Sequence, residues 1–178
     1  MIKGHDPLPE KWRRFRKRPR EDRALILRAM LLLPLTEFGL RVFGFRRWKG
    51  WIERVTVQTR PQQAADPASQ SEIAGRAVRA VRAVELHGPA GSNCLERSMT
   101  LWWLLRRQGI GGELHIGARK NGLRLEAHAW VELSGQVLND SAEVHNHYAR
   151  FDAPIADAED ANSRAIAETD SPDSRKEG

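Results

Sequence analysis

The chain has 178 residues, enough for one ordinary domain with appendages, and its 40% hydrophobic content supports a modest core. A single cysteine excludes an internal disulfide and favours a reducing, cytoplasmic setting. Charge is uneven: residues 1–60 carry 16 Lys+Arg against 6 Asp+Glu, residues 61–150 carry 10 against 9, and residues 151–178 carry 3 against 8. This reads as a basic arm, a near-neutral body and an acidic tail.

The first twenty residues are charged and broken by proline, with no apolar core or small-residue cleavage site of a secretory signal. The longest apolar stretch, Ala29 to Leu35, contains Pro34 and is too short to span a bilayer. Through the arm, large apolar residues interleave with Arg and Lys. Asp22 can cap a helix starting near Arg23, which Pro34 is expected to kink or end. A second helix would run from Thr36 to Phe43, stopped by Gly44, and a third from Trp48 to about Val57. The expected division is a basic helical extension over 1–60, a linker over 61–70, a core over 71–151 and a disordered acidic tail over 152–178.

Ser71 to His87 is expected to be a helix capped by Ser71. Its apolar face is Ile73, Ala74, Ala77, Val78, Val81, Val84 and Leu86, with Arg76, Arg79 and Arg82 pointing out. A strongly apolar helix follows from Ser92–Cys94 to Gln108, stopped by Gly109. Trp102 and Trp103 read as core.

The period then changes to two. Asn121-Gly122 is a strong hairpin signal. It would pair Lys120 with Leu123, Ile116 with Ala127 and His115 with His128. A third strand is expected over Gln136 to Asp140 after a Ser134-Gly135 turn. The architecture is therefore α+β: a buried helix with cysteine at its start, packed on an antiparallel sheet, behind a helical N-terminal extension.

Cys94 stands where unpaired helix N–H groups and the helix dipole stabilise a thiolate and can hold an oxyanion. Its base would be His128, on the polar face of the second strand. Asp140, twelve residues on, would orient the imidazole. Register sets a condition. A three-residue loop puts Asp140 opposite His128, whereas a two-residue loop sends it to the other face unless a bulge intervenes.

These residues carry a resemblance. Asn93-Cys94-Leu95-Glu96-Arg97-Ser98 before an apolar helix ending Leu105-Arg106-Arg107-Gln108-Gly109, then His128-Ala129-Trp130-Val131-Glu132 and Asp140, resemble the motifs of lasso-peptide leader peptidases. Those enzymes lie in the transglutaminase-like, papain-related superfamily. The arm, with Trp12-Arg13-Arg14-Phe15 and Leu31-Leu32-Leu33-Pro34-Leu35, is similar to the N-terminal segment of the stand-alone members. The resemblance implies a cysteine peptidase with Cys94 as nucleophile, His128 as base and Asp140 as orienter. It implies removal of a leader from a ribosomally made precursor, with a separate leader-recognition protein. A cyclase similar to asparagine synthetase would then close the ring with ATP. No cofactor of the chain's own is implied. The alternative is acyl transfer, or a binding role in peptide maturation without proteolysis, since hydrolysis and transfer share one thioester.

Arg97, His115 and Trp130 are candidate substrate-binding residues. Arg97 matches a motif position without an assigned role, His115 lines the cleft or pairs across strands, and Trp130 shields the site or packs the sheet. His145-Asn146-His147 alternates as two imidazoles on a strand face would, but lacks the further ligands of a metal site. The arm reads as a clamp on the body, a docking surface for partner proteins, or weak contact with the inner membrane face. Nucleic-acid binding is disfavoured by the near-neutral body and by aromatics that sit in apolar patterns.

Overall fold

The computed structural model describes residues 13, 15–56, 66–87, 92–121 and 124–151. The expected tail and the first half of the expected linker lie outside these residues. In chain order come α1 (Arg20–Thr56), α2 (Pro67–His87), α3 (Cys94–Arg107), β1 (Glu113–Asn121), β2 (Arg124–Leu133), β3 (Gln136–Val137), the short α4 (Val144–His147) and β4 (Ala149–Arg150). The four strands form one sheet in the order β3-β2-β1-β4, with antiparallel pairs throughout.

Of the two outcomes expected at Pro34, a kink or an end, the end does not occur: Pro34 lies inside α1, and the second helix expected from Thr36 is a continuation of it. Pro34 is exposed, so water can replace the backbone bond it deletes, while the flanking Leu33 and Thr36 remain buried. The break comes at Gly44, whose φ of 73° and ψ of 168° fall in a region open essentially only to glycine. The second limb then returns against the first. A Cβ on Gly39 would come within 2.3 Å of the Trp48 ring, so only glycine lets the indole close over that point.

α2 begins four residues earlier than expected. Asp66 caps it in place of Ser71, taking the N–H of Ser69 at 2.6 Å, and Pro67 occupies the first helical position, where a missing N–H costs nothing. Arg76 does not point to solvent. It bonds Glu21 and Asp22 of α1, each at 2.7 Å, and so pins the two helix starts together. Leu86 is exposed, outside the buried Ala74–Ala77–Val81–Val84 face.

α3 is the buried helix of the molecule. Met99, Leu101, Trp102, Trp103, Leu104 and Leu105 are all within 3% of complete burial. They join one hydrophobic cluster with Leu25, Ala29, Leu33, Trp48 and Ile52 of α1 and the buried face of α2. Two polar ties cross the α1–α3 packing: Thr100 Oγ1 donates to Thr36 Oγ1 at 3.2 Å, and Arg106 Nε donates to Thr56 Oγ1 at 2.8 Å. Gly109 ends the helix with a positive φ of 72°, as expected of the residue after a C-cap.

The β1–β2 register is two residues away from the expected one. Asn121 pairs with Arg124, Ile116 with Ala129, His115 with Trp130 and Gly117 with His128, so His115 and His128 are not cross-strand partners. An even shift leaves every side chain on its expected face. Packing selects it: Gly117 lies beneath the Trp130 ring and against the Ala149 carbonyl, where a Cβ would approach to 3.0 and 2.8 Å. The second half of β2 is buried on both faces, because the His145 and Arg150 side chains lie against Trp130 and Glu132 on the side that patterning assigned to solvent. His145 and His147 consequently belong to α4 and not to a strand.

Candidate active site

The β2–β3 turn is the two-residue form. Ser134 and Gly135 have φ of 51° and 79°, and Leu133 pairs with Gln136. Both central residues at positive φ suit a tight hairpin. A regular strand in this register would place Leu138 opposite Val131 and Asp140 opposite Ala129, on the face away from His128. Leu138 follows that register: its N–H donates to Val131 O at 2.9 Å, and its side chain packs on the core. The strand then stops. Asn139 Oδ1 takes the Val131 N–H at 2.8 Å, the place a strand carbonyl would occupy, and the chain bends away. The bend is the interruption that the two-residue loop required.

The bend delivers Asp140 to His128. Asp140 Oδ2 bonds His128 Nε2, and Asp140 Oδ1 accepts the Ser141 N–H at 2.7 Å. Burial opposes the carboxylate's charge, but the bonds from His128 and from the Ser141 amide, aided by the charges of His128 and Arg97, outweigh it. The Asp140 pKa is held below the ordinary value. With Nε2 engaged, Nδ1 is the ring nitrogen left for proton transfer.

The same Asn139 joins this corner to the cysteine helix. Its amide nitrogen donates to Ser98 Oγ at 2.8 Å, and Ser98 Oγ donates to Ala129 O at 2.8 Å, beside His128. Ser98 lies one turn beyond Cys94, on the same side of α3, about 6 Å along the axis. Cys94 is the first residue of α3, half-buried and free. Its sulfur is not hydrogen-bonded to His128 in this arrangement; such contacts often close only when substrate binds. Asn93 and Glu96 form a reciprocal cap: Asn93 Oδ1 accepts the Glu96 N–H and Glu96 Oε2 accepts the Asn93 N–H, both at 2.9 Å. That cap leaves the Cys94 and Leu95 amides of the first turn without intrahelical acceptors.

Trp130 lies behind His128. It is fully buried and stacks with His128 at 6.3 Å between ring centres and with His115 at 5.9 Å. Its Nε1 donates to Glu132 at 2.6 Å. Glu132, 4% exposed, also accepts from Arg150 at 2.5 Å, and the imidazoles of His115 and His145 stand 3.7 and 3.4 Å from its oxygens. Burial disfavours the Glu132 charge; the indole bond and the three neighbouring cationic or imidazole groups prevail, and its pKa is lowered. Tyr148 stacks on His128 at 4.9 Å and carries the Arg119 guanidinium over its ring. His128 is thus held by Asp140 at one nitrogen and by aromatic rings at its faces.

Arg97 ion-pairs with Glu85 of α2. Both line a cleft of about 450 Å³ whose walls include Arg82, Leu86, Leu138 and Asp140. Among the described residues no group of three or more His, Cys, Asp or Glu is arranged to hold a metal ion. Ser98 and Glu132 stand in the sequence only as members of the two motifs, with no role attached, and Asn139 and Tyr148 carry no motif at all. Asn93 and Glu96 could have been read as a cap, since polar-x-x-Glu before an apolar run is a capping signature. Tyr148 had no local signal, because it arrives through the β1–β4 pairing.

Comparison with known families agrees with this architecture. The model of a transglutaminase-like superfamily domain matches residues 38–151, from the middle of α1 to the end of β4. No curated protein and no solved structure matches the chain. The superfamily includes both cysteine proteases and acyl-transferases. With well over half of its residues matched and a cysteine helix set against an antiparallel sheet, the chain belongs to the transglutaminase-like superfamily.

Proposed function

We propose that the chain is a cysteine peptidase that removes the leader from a lasso-peptide precursor. The observation that supports it most is the Asp140–His128 pair, formed where β3 breaks and tied through Asn139 and Ser98 to the helix that Cys94 begins. Cys94 attacks the scissile carbonyl and His128 Nδ1 takes the thiol proton. Asp140 fixes the ring by its bond to Nε2. The first-turn amides of α3 receive the oxyanion. His128 then returns the proton to the departing amine, and water releases the thioester as the leader's carboxylate.

The resemblance of the Cys94 and His128 motifs extends this reading to partners. A separate protein captures the leader, and an ATP-using cyclase similar to asparagine synthetase takes the freed amine. The peptidase step needs no cofactor. The test is incubation of a candidate precursor with the full chain and the leader-recognition protein, read by mass spectrometry. One cut at the leader–core junction is expected, lost with Cys94→Ala and with His128→Ala. Undiminished cutting by Cys94→Ala would sink the proposal. A product joined to an added amine, in place of a free carboxylate, would favour acyl transfer.

A further inference from the structure

The outer face of α1 takes no part in the core. Leu27, Leu31, Leu35, Phe38 and Val42 recur at steps of three or four and are 41–72% exposed. They form a stripe about 22 Å long at the α-helical rise. At the Gly44 turn the stripe runs into a groove walled by Phe38, Phe43 and Trp51 and rimmed by Arg46, Arg47 and Arg54. An apolar strip of this extent marks an interaction surface.

Charge complementarity points to an anionic occupant. Glu37 is bridged to Arg41 at 3.0 Å and Glu53 to Lys49 at 2.6 Å. Among the described residues, Arg28, Arg46, Arg47 and Arg54 have no acidic partner. A second copy of the chain would set these arginines against themselves. Residues 152–178 are acidic, but their large apolar residues are only Ile155 and Ile166, too few to cover the stripe. No described helix is long and apolar enough to cross a membrane, so contact with a bilayer would be along its surface.

We propose that this face docks on an anionic phospholipid bilayer, with the stripe in the acyl boundary and the arginines at lipid phosphates. The inference stands apart from the peptidase reading, since none of these residues belongs to the Cys94–His128–Asp140 site.

The full chain is sedimented with vesicles of phosphatidylglycerol and phosphatidylcholine, and separately with phosphatidylcholine alone. Binding to the anionic vesicles is expected, falling about fivefold for each of Arg46→Gln and Arg47→Gln. The double variant Leu31→Glu with Phe38→Glu should lose at least about tenfold, since both exposed side chains would enter the acyl boundary. Unchanged thermal melting of that variant would show that the fold is kept. Three outcomes would overturn the proposal: no sedimentation with anionic vesicles, equal binding to the neutral ones, or binding unaffected by the double variant. A dimer seen by analytical ultracentrifugation, abolished by the double variant and without vesicle binding, would assign the face to a second copy.

Discussion

Asp140 keeps its charge although burial works against it, because His128, the Ser141 amide and the Arg97 charge favour the carboxylate. Its folded-state pKa lies below its ordinary value, so its stabilising contribution is fully present above the unfolded pKa of about 4 and is lost as pH falls through the lower folded value. Wild type should therefore melt higher than Asp140→Asn near pH 6, with the gap closing as pH drops toward 3. A scan of Tm against pH checks this; a gap that widens in acid would contradict it. For the proposed reaction, Asp140→Asn should lower kcat by about a hundredfold or more, because an amide neither holds the imidazole tautomer nor stabilises the imidazolium. Cys94, His128 and Asp140 were legible as residue types in a chain order that suits thiol chemistry. Glu132 was not legible as a buried acid. Alternation puts it on a polar face, and only the arrival of the Arg150 and His145 side chains beside Trp130 buries it there.

At the scale of elements, the short β3 and the bend after it decide the site. Asn139 acts as a splice, taking a strand N–H with one atom and gripping Ser98 of α3 with another. Asn139→Ala would orphan the Val131 N–H and one bond of Ser98. It should cost about 1–3 kcal/mol in chemical denaturation, the usual penalty for a buried polar group left unsatisfied. It should also lower cleavage activity more than its stability loss accounts for, because Asp140 is then no longer held at the bend. Leu138→Ala is the control: it removes packing without touching the splice, and should reduce stability while sparing more of the activity. Strand parity alone requires an interruption after a two-residue Ser134-Gly135 loop. Parity does not say what the interruption is, because the device is a side chain mimicking a backbone carbonyl, and that depends on where α3 lies. The α1 hairpin is similar. Gly44 marks a stop in the sequence, but the return of Trp48 over Gly39 is a contact between limbs and leaves no periodic trace.

Across the whole molecule, α1 completes the core. Trp48 of α1 meets Trp103 of α3 edge-on at 5.9 Å, and Ile52, Ala29 and Leu33 share the hydrophobic cluster with α2 and α3. A chain lacking residues 1–56 would leave Trp103 without Trp48 and Trp51, and Trp102 without Lys49. It should show no cooperative thermal transition and should bind dyes that report exposed apolar surface. A truncated chain that melts as sharply as the full one would contradict this. The charge division also has a spatial meaning. The basic arm places some of its arginines on the outer face of α1, while Arg106 of the body turns inward to Thr56 and the Trp102 ring.

The sequence alone determined the elements that rest on local rules: the apolar helix begun by Cys94, the period-two strands, the glycine stop at Gly109 and the chain order of cysteine, histidine and aspartate. These follow from side-chain periodicity and from backbone conformations that a few residue types allow. What only the tertiary structure decided is where two distant segments meet: the β1–β2 register, the burial of Trp130 and Glu132, the continuation of α1 through Pro34, and the arrival of Asp140 at His128. Each depends on a contact whose partner is set by the packing of another element, and local periodicity carries no information about that partner.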